Sequence, residues 1–369
     1  MAITRIGNIA STIPDDSIQN VKFSNIVQSK NIIINGDMSI AQRGTSQASI
    51  TSSGYYTIDR VRTAINNGGT WTQSQSTEVP TGQGFATSLK MDCTTADTSL
   101  ASGDFLHLQF PIEAQYLQYL KYGTSSAETL TLSFWVRSNK TGTYCICLQK
   151  SDNTRYDFVA EYSISSADTW EKKTITIAPD SNIKAAGGAI DNNNGEGFKL
   201  KFTLLSSGRT GTNNTWNSST PADCTSNQVN LADSTANEWY ITGVQLEAGT
   251  TASDFEFLPF DVNLGRCKRY CQKYIDPHLV GVNNSGNLPS RVGMNLPVDM
   301  RTTPSASISG TFGFWDGGAT QNYTTVSAFF LNSTSIQMDW SGSTFSVAGK
   351  TNIQYLSSGS NYILIDSEL

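Results

Sequence analysis

Nucleophilic catalysis by serine, threonine or cysteine needs a neighbouring base, and this 369-residue chain has two histidines, His107 and His278. His107 sits in Phe105-Leu-His-Leu-Gln-Phe110, where strand spacing places it opposite Leu106 and Leu108. That is the position of a polar-face strand residue. His278, in Asp276-Pro-His, reads as a loop residue. With two histidines, a His/Cys zinc cluster lacks ligands. There is no Gly-Lys-Ser/Thr phosphate loop and no dinucleotide fingerprint. Glycoside hydrolysis needs two carboxylates across a cleft. Asp157 and Glu161 fit best, since an extended strand puts them on one face. Acids spaced in this way ordinarily make a solvated surface, so no catalytic residue is assigned and the chain is expected not to be an enzyme.

Sugar binding without cleavage has better material. Aromatic rings stack on the apolar faces of sugars, while amides and charged groups read the hydroxyls. Trp135 and Arg137 share the polar side of a strand whose other side carries Leu130, Leu132, Phe134 and Val136. Trp170 and Trp216 lie in polar stretches, and Trp71 follows Asn66-Asn-Gly-Gly-Thr70. Trp135, Arg137 and Trp170 form the candidate carbohydrate-binding set, with Trp135 leading because its alternation points outward.

These residues need strands to hold them, and the chain supplies them. Tyr144, Ile146 and Leu148 alternate, as do Ile175 with Ile177, and Phe198, Leu200, Phe202 and Leu204. Turn residues separate them, as in Lys140-Thr-Gly142 and Asp191-Asn-Asn-Asn-Gly195. The oxygen-rich Asp191–Glu196 stretch lacks EF-hand spacing and reads as a turn. Short strands with one buried face predict an all-β fold: an antiparallel jelly-roll sandwich over residues 31–260. Ile112 to Tyr122 is the exception, with Ile112, Tyr116, Tyr119 and Leu120 at helical spacing. Residues 261–280 read as a helical connector, with Leu264, Cys267, Cys271 and Tyr274 on one stripe. Residues 281–369 read as a smaller β-domain, its core drawn from Phe312, Phe314, Phe329, Leu331, Ile336, Met338, Phe345, Val347, Ile353, Ile363 and Ile365. Residues 1–30 have scattered isoleucines and no clean period, and are expected to be an N-terminal docking arm.

Charged residues make up 15% of the chain, below the usual quarter, and the formal net charge is −6. Beyond the Arg266–Lys273 cluster there is no sustained basic run, so no nucleic-acid partner is expected. No apolar run approaches membrane-spanning length and no signal peptide is visible, so no membrane insertion is expected either. Cys145 and Cys147 share a strand face, and Cys267 and Cys271 lie one helical turn apart. Neither spacing suits a disulfide, and all six cysteines read as buried thiols.

The stretch from Trp239 to Tyr274 reads WYITGVQLEAGTTASDFEFLPFDVNLGRCKRYCQKY. Alternation sets Trp239, Ile241 and Gly243 on one side of a strand and Tyr240, Thr242, Val244 and Leu246 on the other. Gly249 breaks it, and Phe255, Phe257 and Phe260 close over what lies below. The block ITGVQLEAG…FEFLPF…LGRCKRYCQKY resembles the junction of bacteriophage tail-fibre and related virion proteins, where a jelly-roll strand with a VQLE-G pattern leads to a short helix bearing Cys-x-Arg-Tyr. Asn35-Gly36, Gln42-Arg43-Gly44 and Asp59-Arg60 resemble the opening of such modules, although Val61 stands where the family often has tryptophan. Leu296-Pro-Val-Asp-Met-Arg-Thr-Thr-Pro304 resembles the start of the family's C-terminal β-domain. The likeness implies a tail-fibre protein of the virion, a homotrimer, with host surface glycan as one partner and other virion proteins, met through residues 1–30, as the second. It also implies a structural calcium near the first strand, with Asn35, Asp37 and Glu247 as oxygen donors; no other cofactor is expected. A capsid-decorating or head-fibre protein and a glycan depolymerase are the alternative roles.

Overall fold

The computed structural model describes residues 30–218, 221–277, 279–282, 290–310, 312–315, 320–323, 326, 328–340, 351–356 and 361–369. The expected arm before Lys30, and His278, Phe345 and Val347, lie outside these residues. So do the side chains of Phe314 and Ile353.

Two antiparallel sheets pack face to face in an all-β, jelly-roll-type sandwich. One has six strands, in the order Ser46–Ile50, Thr70–Ser76, Ser88–Thr95, Glu238–Ala248, Leu130–Ser138 and Glu171–Ile177. The other has seven: Thr215–Asn217, Tyr156–Ile164, Gly142–Lys150, Glu196–Ser206, Phe105–Glu113, Arg62–Asn66 and Gly54–Tyr55. The chain changes sheet repeatedly between residues 105 and 248, so sequence neighbours face each other across the core. Leu130, Leu132, Phe134 and Val136 of the first sheet meet Tyr144, Ile146, Leu148, Leu200 and Phe202 of the second, all fully buried. Phe134 lies edge-on to Phe202 at 4.9 Å and to Tyr162 at 5.1 Å, geometry that adds to the area buried. Trp71 and Trp216 belong to this core and are not sugar platforms; their indole N–H groups donate to Gly68 O and Ala178 O.

The Glu238–Ala248 strand departs from strict alternation. Its register shifts between Thr242 and Gln245, and Gly243 takes a φ of +64°, which suits glycine. The extra residue restores Leu246 to the inward face beside Leu132. Trp239 and Ile241 therefore share their side with Leu246 rather than opposing it.

Ile112 is a strand residue, and the helix after it is a 3₁₀ helix, Ala114–Leu120. The Phe260–Lys268 helix ends sooner than its apolar stripe suggests. Cys271 and Tyr274 lie in the next strand, Cys271–Ile275, and Phe260 stands exposed at the helix start rather than closing over the strand. Asp261 in the first turn and Arg266 and Lys268 in the last suit the helix dipole.

Beyond the helix lies the smaller β-domain. Cys271–Ile275, Tyr362–Asp366 and Ser305–Ser309 form a three-stranded sheet, and seven short strands form another. Phe312, Ile336, Met338, Ile363 and Ile365 are buried in its core, with Phe329 and Leu331 packed against it. All six cysteines are free and buried. No described helix is long and apolar enough to cross a membrane.

Candidate ligand-binding cleft

Trp135 does point away from the core, yet it is half-buried by its neighbours. A Cβ built on Gly243 would lie 3.2 Å from Trp135 Cδ1 and 2.6 Å from Phe85 Cζ, so both rings bend over the bulge. Phe85 in turn packs on Phe255 and Phe257, each at 5.1 Å. Arg137 donates to Asp168 at 3.0 Å and to Glu238 at 3.2 Å, and Lys90 holds the same Glu238 at 2.7 Å. Both cations flank the Tyr240 ring, and Trp170 meets that ring edge-on at 6.2 Å. Trp135, Arg137 and Trp170 thus share one face, where the charges already answer one another.

The outer face of the second sheet is drier. Residues 221–230 cross it, and Cys145, Cys147 and Val159 of the sheet pack with Ala222 and Cys224 of the crossing segment. Asp157 and Glu161 share one face, but both fasten this cover, Asp157 buried and Glu161 half-buried. Asp157 accepts from Ala222 N and Arg155, and Glu161 accepts from Thr225 Oγ1 and Asn227 Nδ2. His107 is buried beneath it, 3.7 Å from Asp223, which Lys201 and Arg209 hold at 2.7 and 3.0 Å. Burial pushes the His107 pKa down to about 3, Asp223 only partly opposing it, so the imidazole is neutral at physiological pH.

Asn35, Asp37 and Glu247 each have a partner within the fold. The Asn35 amide donates to Ile40 O and Asp59 O and accepts from Ile40 N, with a φ of +61° that asparagine tolerates. Asp37 accepts from Asn263, and Glu247 from Ser253 and Gln245. Among the described residues, no group of three or more His, Cys, Asp or Glu side chains is placed to hold a metal ion.

The concave site lies at a seam that the strand alternation does not disclose. A cleft of about 720 Å³ opens between the sandwich, the Phe260–Lys268 helix and residues 298–299 of the smaller domain. One wall is the 3₁₀ helix. Its buried residues, Ala114, Leu117 and Leu120, recur every third position, as three residues per turn require. The same period stacks Tyr116 and Tyr119 in a neighbouring row, 47% and 37% exposed and facing the cleft. Gln118 fixes the helix by donating to Ala114 O and Asp191 O, each at 2.9 Å. The signal was available as the triplet Ala-x-x-Leu-x-x-Leu, which a helical period of 3.6 obscures.

The opposite wall carries Val262, Gly265, Arg266, Arg269 and Tyr270. A Cβ at Gly265 would meet nothing within 4 Å. The floor ends in Glu113, which is fully buried and bound by three side chains: Arg269 at 2.8 and 2.9 Å, Tyr270 Oη at 2.5 Å and Gln115 at 2.5 Å. Burial alone would raise its pKa. The hydrogen bonds from Arg269 and Tyr270 outweigh that and hold the carboxyl below the usual range. A rigid ionised floor, an apolar interior and two exposed rings make a site that can orient a ligand by stacking and hydrogen bonds.

No protein-family model matches the chain, and no curated protein sequence matches it. Among solved structures, it is similar to the enzymatically active domain of tailspike protein 4 of bacteriophage CBA120, at 11% identity over 60% of this chain with a TM-score of 0.30. The match spans 22% of that tailspike chain. A putative sugar binding protein from Bacteroides thetaiotaomicron is similar at 12% identity, over 59% of this chain and 100% of its own, with a TM-score of 0.30. A family 11 carbohydrate-binding module from Clostridium thermocellum, in complex with a β-1,3-1,4-mixed-linked tetrasaccharide, is similar at 10% identity, over 57% of this chain and 99% of its own, with a TM-score of 0.28.

Proposed function

We propose that this protein is a non-catalytic glycan-binding component of a phage virion, of the tail-fibre type, and that host surface glycan binds in the cleft beside Tyr116 and Tyr119. The observation that carries the reading is the pair of exposed rings, three residues apart on one row of the 3₁₀ helix and lining a cavity with a charged, hydrogen-bonded floor. Sugars present just such a mixture of apolar faces and hydroxyls. The virion setting is supported by the resemblance of the three sequence segments, residues 31–60, 239–274 and 296–304. Binding is favoured over cleavage because a glycosidase acid needs a raised pKa, whereas Glu113 is held low. Asp157 and Glu161 are taken up in holding the cover of the second sheet.

The test is titration of the purified protein with bacterial capsule and lipopolysaccharide O-chain oligosaccharides by calorimetry. Tyr116→Ala and Tyr119→Ala should each weaken binding about ten-fold, near 1.4 kcal/mol, the scale of one lost aromatic contact. Gly265→Phe should fill the cleft and abolish binding while the fold persists. If Gly265→Phe binds as the parent does, the glycan is elsewhere. Release of reducing ends would replace binding by hydrolysis.

A second reading, a contact within the assembled particle, draws on the exposed Phe257, Phe260 and Val262, of which Val262 lines the cleft. It predicts that Phe260→Ser lowers incorporation into virions and leaves oligosaccharide titrations unchanged.

A further inference from the structure

Four motifs far apart in the sequence meet at residues 366–369. Arg43 of Gln-Arg-Gly pairs with Asp366 at 2.6 Å and Glu368 at 3.3 Å. Arg60 of Asp-Arg pairs with Glu368, and both side chains are only 3% exposed. Arg301 of Met-Arg-Thr donates to Ser367 O at 2.8 Å and Glu368 O at 3.0 Å. Tyr270 of Arg-Tyr accepts from Ser367 N through its carbonyl at 2.8 Å. Tyr55 Oη adds a bond to Leu369 O at 2.8 Å.

From there the contacts run straight into the cleft. The Arg60 guanidinium lies 3.5 Å from the centre of the Tyr270 ring, and the Tyr270 hydroxyl donates to Glu113 beside Arg269. We infer that the motifs form one latch between sandwich and smaller domain, and that Glu368 is a positioning residue for the cleft, acting through Arg60 and Tyr270. The second half of this inference rests on the binding reading given above. The physical reason is the burial of the pair. A guanidinium out of water needs its carboxylate; without it Arg60 keeps only the neutral Pro111 carbonyl, at 2.6 Å, and its charge draws it toward solvent or toward another acceptor. Either movement takes it off the Tyr270 ring and loosens the donor that holds Glu113.

The test uses the full chain with Glu368→Gln, which keeps the side-chain volume, and Arg43→Gln, which removes one arm of the latch and leaves the cleft lining untouched. Amide exchange at Ser367 and Arg301 should quicken about ten-fold in both variants. Glu368→Gln should weaken binding of the O-chain or capsule oligosaccharide about ten-fold, through faster dissociation. Tyr270→Phe should cause a similar loss, and the double variant should lose little more, as expected for two members of one chain of contacts. Parental exchange rates in both variants overturn the latch. Quickened exchange with parental affinity overturns the positioning role. A parent that binds no oligosaccharide overturns the binding reading and the positioning role with it, while exchange still decides the latch.

Discussion

The two sheets of the sandwich have opposite outer faces. On the six-stranded sheet, Lys90, Arg137, Glu238 and Asp168 pair around Tyr240 within reach of water. On the seven-stranded sheet, Lys201 and His107 face Asp223 of the crossing segment, residues 221–230, and all three have lost water almost completely. Similar residue types serve different ends because dielectric decides what a charge contributes. A wet pair is worth little and can be lost cheaply; a dry one cannot be broken without stranding its partner. Neither face offers a vacancy. The cleft does, at the edge where sandwich, helix and smaller domain meet.

The sharpest way to break this comparison is to remove a dry charge. Asp223→Ala leaves the buried Lys201 without its carboxylate; Arg209, which loses the same partner, is partly exposed. It should lower stability by about 3–5 kcal/mol in a denaturant melt. A loss below about 1 kcal/mol would mean that water reaches the cover and that the two faces do not differ.

The next effect is a pH dependence confined to the dry face. An unfolded histidine titrates near 6.5, while burial pushes folded His107 down to about 3. Between these values the unfolded chain takes up a proton that the folded chain refuses. Stability from His107 is therefore complete above about pH 6.5 and is lost as pH falls toward 3, by at most on the order of 4 kcal/mol. Asp223 adds to the loss at the acid end: burial would raise its pKa, but Lys201 and Arg209 hold it well below the usual range. Denaturant melts from pH 7 to pH 4 should show the slope in the parent and a shallower one in His107→Phe. Equal slopes would place the titration elsewhere.

How far the sequence discloses these differences depends on period. Alternation locates both sheets because each strand has one face in the same core, and the outward aim of Trp135 follows from Phe134 and Val136 beside it. Alternation says nothing of what lies over an outward face. His107 and Glu161 look solvated until residues 221–230 are laid across them, a long-range contact without local signature. The bulge at Gly243 and the triplet period of Ala114, Leu117 and Leu120 break the simple periods, and expectation fails at both. The motifs are legible as strings, but their meeting at Glu368 is not, since each contributes one side chain to a place the others define. Glycine needs are partly readable. Gly36 lies where a Cβ would come within 2.1 Å of Val244 O, which only a close strand-to-loop approach explains.

On the wet face, Trp135→Ala should cost about 2 kcal/mol of stability, less than a fully buried tryptophan because part of the ring meets solvent. Oligosaccharide affinity should stay at the parental value. A ten-fold loss of affinity with unchanged stability would return the sugar site to this face and sink the cleft assignment.

Arg137→Ala should have the smallest effect of all. The side chain gives up bonds to Asp168 and Glu238 and its place 4.9 Å from the centre of the Tyr240 ring. Neither acid is stranded. Asp168 is open to water, and Glu238 keeps Lys90 at 2.7 Å. The expected loss is about 0.5–1 kcal/mol at low salt. Because these groups meet solvent, that loss should shrink in 1 M NaCl, where screening acts over only about 3 Å. The dry pair offers the control: Asp223→Ala should cost nearly the same at both salt concentrations. If Arg137→Ala instead costs as much as Asp223→Ala, and salt does not reduce it, then the outer face of the six-stranded sheet is also cut off from water. The search for a partner covering Trp135 would then begin there.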